Sequence, residues 1–114
     1  MSARRLALAI TFLPALILAT ACRPGVSPAA AALRSIRVGD DYGNARQRLL
    51  NAGWRPVPTR CSETSICFNE LPELATNLSD RRTCGMLLAK DEKVRICLDV
   101  VPDGALVASI EHPD

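Results

Sequence analysis

Four cysteines, Cys61, Cys67, Cys84 and Cys97, set the strongest limit on what this chain can fold into. A domain of about 80 residues buries only a thin core and gains much from cross-links. An even set of cysteines reads as a disulfide framework, and such bonds persist in oxidising compartments. The intervals between them are 5, 16 and 12 residues. That leaves no C-x-x-C pair for redox chemistry and no close pairs for a zinc knuckle. Three pairings are possible. Cys61–Cys67 with Cys84–Cys97 is the favoured one, because it makes a local loop clamp and a staple across a hairpin. Each bridge adds roughly 2–4 kcal/mol by limiting the unfolded chain.

The fifth cysteine, Cys22, stands apart and follows an address. Arg4 and Arg5 precede an apolar run from Leu6 to Leu18. The run is too short to cross a bilayer, which takes about 20 residues. A basic start, a short apolar middle and a small-residue end make a secretory signal peptide over residues 1–21. Ala19-Thr20-Ala21 fits the ordinary A-x-A cleavage site, which would release a soluble periplasmic protein. The same small residues directly before Cys22 resemble the lipobox of bacterial lipoproteins, although the leucine lies one place further back than usual. There the cysteine receives fatty acyl chains such as palmitate and becomes the first mature residue. Removing Cys22 from the thiol count leaves the even set, which favours the lipoprotein reading. Arg23 after it resembles an outer-membrane destination.

Charge changes on cleavage. The fourteen basic residues become twelve when Arg4 and Arg5 leave, equal to the twelve acidic ones. The +2 of the whole chain therefore belongs to the address. Nucleic acid is not an expected partner, since no basic surplus remains.

Residues 22–34 read as a lipid-anchored flexible linker, with Pro24, Gly25, Ser27 and Pro28. A short helix on the Ala29–Ala32 run is the alternative. Residues 35–114 form the expected domain. Ser35 to Val38 alternates like a strand. Asp40 and Asp41 are placed to cap a helix in which Tyr42, Ala45, Leu49 and Ala52 share one face. Gly53 ends it, and Trp54 folds back onto Leu49. The stretch from Thr59 to Thr83 reads as a stapled loop with a short strand at Ile66–Phe68. Cys84–Ala89, Val94–Val101 and Ala105–Ile110 read as antiparallel strands, the first two joined by Lys90 to Lys93. Val94, Ile96, Leu98 and Val100, with Leu87, Ala89, Leu106, Ala108 and Ile110, should face the helix. In that register Cys84 and Cys97 stand diagonally. The expected architecture is α+β: one helix packed on a small, mostly antiparallel sheet, stabilised by disulfides.

Catalytic chemistry has little to work with. His112 is the single histidine and lies in a tail. Glu70 and Glu73 are spaced like a carboxylate pair but read as loop charges. Arg95 and Asp99 suggest a surface ion pair, and Asn77-Leu78-Ser79 a chance glycosylation triplet. No catalytic residue, metal ligand or cofactor is expected. Trp54 and Phe68 are the candidate contact residues, with Trp54 also a candidate for the core.

Gly39-Asp40-Asp41-Tyr42, Ala45-Arg46, Leu49-Leu50, Gly53-Trp54-Arg55-Pro56 and the later Leu71-Pro72-Glu73 form a pattern. It resembles small exported proteins and lipoproteins of proteobacteria. The order is distantly similar to outer-membrane lipoproteins of the SmpA/OmlA type and to PASTA domains. The resemblance implies an envelope protein acting by binding or structural support, with an unidentified envelope protein as partner. An inhibitor of an extracytoplasmic hydrolase, built on the loop from Cys61 to Cys84, is the second expectation. An enzyme acting on wall or glycans is the third.

Overall fold

The computed structural model describes residues 27–113. Cys22 and the expected signal peptide lie outside the described residues. Two helices and a six-stranded antiparallel sheet make an α+β fold, held by the Cys61–Cys67 and Cys84–Cys97 disulfides. The helices are α1 (Pro28–Ser35) and α2 (Tyr42–Asn51). The strands are β1 (Arg55–Pro56), β2 (Ser65–Cys67), β3 (Ala75–Asn77), β4 (Thr83–Ala89), β5 (Glu92–Val101) and β6 (Gly104–Glu111). Their spatial order is β2-β3-β4-β5-β6. β1 lies beside the second half of β4, on the edge whose first half pairs with β3.

α2 forms as its sequence predicts. The Asp41 side chain accepts the Asn44 N–H, satisfying a donor that the first turn leaves open. Tyr42, Ala45 and Leu49 are buried on one stripe. The helix stops at Gly53, whose φ of +104° costs glycine little. Gly53 N–H then donates to Leu50 and Trp54 N–H to Leu49, the paired bonds of a Schellman end. The stripe meets Leu87, Val94, Ile96, Leu98 and Val107 in one core.

Trp54 belongs to that core and is 1% exposed, so it is not a surface contact. Its indole N–H donates to the Ala29 carbonyl at 2.9 Å. This bond explains a departure from the expected linker. Residues 28–35 are helical, capped by Ser27, started by Pro28 and rich in alanine. Ala29, Ala32 and Leu33 rest against the core, which gives the short helix the tertiary support it needs. The strand expected at Ser35–Val38 is replaced by the end of α1 and a turn. Ile36 is buried there and Val38 exposed.

The sheet corrects the expected register twice. The β4–β5 turn uses two residues, Lys90 and Asp91, because Ala89 pairs with Glu92. Pairing therefore slides by two residues, and Cys84 stands directly opposite Cys97. A bulge between Cys97 and Leu98 then shifts β6 by one. A one-residue shift exchanges faces. Val107 pairs with Leu98 and takes the core position expected of Leu106 and Ala108. Ile110 still pairs with Ile96. Val100, expected in the core, is exposed.

Candidate functional site

The long segment between β1 and β4 builds the most distinctive surface. The disulfide Cys61–Cys67 closes a small ring, and serine and threonine bonds fill it. Thr64 carbonyl accepts from Leu78 N–H, tying the ring to the far end of the β2–β3 hairpin. Phe68 follows the ring directly, at 37% exposure. The chain then turns through Leu71, Pro72, Glu73 and Leu74, and Leu74 enters the core.

Glu73 fixes that turn. Its carboxylate accepts the Tyr42 hydroxyl at 2.6 Å and Arg46 Nε at 2.7 Å on one oxygen. The other oxygen accepts Arg46 Nη2 at 3.2 Å. The Glu73 side chain is 0% exposed and that of Arg46 18%. Burial works to raise the Glu73 pKa, but the hydrogen bonds from Arg46 and Tyr42 outweigh it, and the carboxyl titrates below its ordinary value. Burial, then the bond to Glu73, pushes the Tyr42 phenol far above its own. The guanidinium of Arg46 is held charged, chiefly by its bond to Glu73. An ionised carboxylate with both oxygens engaged suits anchoring. A general acid needs the opposite, a raised pKa and an open face.

Gly85 completes the clamp. A Cβ there would lie 2.7 Å from Leu74 Cδ2 and 2.9 Å from Glu73 Cγ. Only glycine lets the turn approach β4 this closely.

The turn and the start of α2 thus become two walls of an apolar groove of about 380 Å³. Phe68, Leu71 and Leu74 line one side. Tyr42 and Gly43 line another, and Leu98 and Ala105 lie between them. Its size matches small binding sites, which are concave and mostly apolar. Val100, 67% exposed, widens the apolar mouth.

The other residues singled out by sequence lie elsewhere. Glu70 is exposed while Glu73 is buried, so the two do not share a site. Arg95 pairs with Glu111 at 3.7 Å rather than with Asp99, and Arg82 reaches the same carboxylate at 3.3 Å. His112 is exposed. Sequence reading missed the Tyr42–Glu73–Arg46 cluster. The available signal was a glutamate between Leu71 and Leu74, with Tyr42 and Arg46 four apart on one helix. Among the described residues, no group of His, Cys, Asp and Glu is placed to hold a metal. Comparison of the chain with protein-family models, curated proteins and solved structures gives no match.

Proposed function

We propose that the mature chain is a non-enzymatic lipoprotein of a bacterial envelope that acts by binding. It is anchored through Cys22, at the periplasmic side of the outer membrane, and holds a partner polypeptide at the Phe68 groove. The groove is the observation that carries this reading. It is a concave apolar surface on a face that the fold leaves uncovered, and its walls are fixed by a buried carboxylate clamp and a disulfide ring. Such preorganisation lowers the ordering cost of binding. The two disulfides fit an oxidising, exported setting.

A second reading has one observation in its favour. Ile66, in β2 and inside the disulfide ring, is 51% exposed and stands two residues before the exposed Phe68. A rigid loop that presents apolar side chains suits insertion into an extracytoplasmic hydrolase as an inhibitor.

Photocrosslinking in cells tests both. A photoreactive residue at position 68 is expected to give a protein adduct, and one at exposed position 38 none. A hydrolase as the captured protein, inhibited by the purified chain, would select the second reading. No adduct at 68, or adducts to lipid alone, would refute polypeptide binding at the groove.

A further inference from the structure

Unpaired charge along the groove is acidic, and the basic residue beside it in sequence, Arg82 before the lining Thr83, is paired with Glu111 at 3.3 Å. Asp41 lines the groove directly. Glu70 lies between the lining residues Phe68 and Leu71, and Asp103 just before the lining residue Gly104; both carboxylates are exposed. None of these three forms an ion pair among the described residues, whereas neighbouring Asp40 is paired with Arg48 at 3.2 Å. No lysine or arginine lines the groove. An apolar floor inside an acidic rim complements an apolar side chain flanked by cations.

The position of the groove selects the kind of partner further. Ser27 and Pro28 border Ala89 and Lys90, at the β4–β5 turn. The groove borders Thr83, at the other end of β4. Six residue steps of strand separate the two ends, about 20 Å. The described chain therefore begins at the end of β4 opposite the groove, which leaves the groove clear of the segment that leads toward Cys22. At Val107 the nearby edge of β6 is already paired with the turn before α2. Gly39 N–H donates to Val107 carbonyl at 2.7 Å, and Val107 N–H donates to Asp40 carbonyl at 2.8 Å. At that point of β6 recognition rests on side chains rather than on an added strand.

We infer that the groove's partner is a linear cationic–apolar segment of another polypeptide, with one or two bulky apolar side chains flanked by lysine or arginine. This rests on the groove being a polypeptide site. The apolar side chains enter between Phe68 and Val100, and the flanking cations meet Asp41, Glu70 and Asp103.

Three synthetic peptides of equal length test this against the mature chain in phosphatidylcholine nanodiscs. One is Leu-Phe-Leu flanked by lysines, the second the same core flanked by glutamates, and the third Ser-Gly-Ser flanked by lysines. The first is expected to bind about tenfold more tightly than either other, a preference that shrinks as salt screens the rim. Phe68→Ala should weaken it about tenfold. The double variant Glu70→Gln with Asp103→Asn should remove most of the lysine-over-glutamate preference. All three positions are exposed, so unchanged denaturation midpoints would confirm folding. Equal affinity for the first two peptides, no binding of either, or preferential binding of the chain to phosphatidylglycerol nanodiscs through Phe68 would overturn the inference. A protein adduct at position 68 in cells, together with equal affinities, would leave the groove reading standing and remove only the cationic–apolar partner.

Discussion

Glu73 shows how one residue can decide the shape of a surface. It lies in a segment of prolines, serines and acidic residues, where a charge ordinarily points to water. Its partners are Tyr42, 31 residues away, and Arg46, 27 away. Local periodicity carries no information about such contacts, so the sequence offers Tyr42 and Arg46 on one helix face and a glutamate between leucines but not their pairing. Removing the carboxylate leaves Arg46 and Tyr42 unpaired, so Glu73→Ala should lower unfolding stability by about 3 kcal/mol, measured in denaturant titrations. The same carboxylate predicts an acid dependence. Its folded pKa lies below its unfolded value, so its contribution is full above the unfolded value of about 4.3 and is lost as pH falls through the folded one. Stability measured against pH should drop steeply there in the wild type and less steeply in Glu73→Gln. An equal drop in both would contradict the clamp. Tyr42 gives the alkaline counterpart. Its folded pKa is raised, so its contribution is full below the ordinary tyrosine value of about 10 and is lost as pH rises through the folded one. Because it is the only tyrosine, near-ultraviolet absorbance should show phenolate forming only as the chain unfolds.

At the scale of elements, legibility depended on how local the causes are. Helix α2, its Asp41 cap and its Gly53 end follow from residues within one or two turns, and the sequence reading of them holds. The disulfide pairing also holds, although the expected register put Cys84 and Cys97 diagonally. The difference came from the turn, which uses two residues where four had been expected. Lys90 sits in it at φ +53°, a region costly for a residue with a Cβ. Lys90→Gly should therefore raise the denaturation midpoint, by up to about 1 kcal/mol in stability. The β6 bulge was not legible, because alternation alone cannot place an extra residue. The two bridges should differ in effect. Cys84→Ala with Cys97→Ala opens the longer loop and should cost about 3 kcal/mol. Cys61→Ser with Cys67→Ser should cost about 2 kcal/mol and loosen the platform under Phe68. Denaturant midpoints check the order, and peptide affinity checks the loosening.

The whole molecule has two ends. One carries Ser27, where the described chain begins, and the β4–β5 turn; the other carries the groove. Because α1 begins at Pro28, the stretch from Cys22 to Ser27 is five peptide steps, at most about 18 Å. If Cys22 is acylated, the domain is held closer to that anchor than a coil ending at residue 34 would hold it. Such a tether would restrict the volume searched and raise the effective concentration of the proposed site for partners in the same membrane layer. The apolar groove, the disulfides and the charge balance left once residues 1–21 are removed describe one design only if the chain is exported and acylated. Metabolic labelling with an alkynyl palmitate tests that most directly. The label is expected on the wild-type chain, in the membrane fraction, and absent from Cys22→Ser. A wild-type chain that is synthesised and exported without taking up label would contradict the anchored reading.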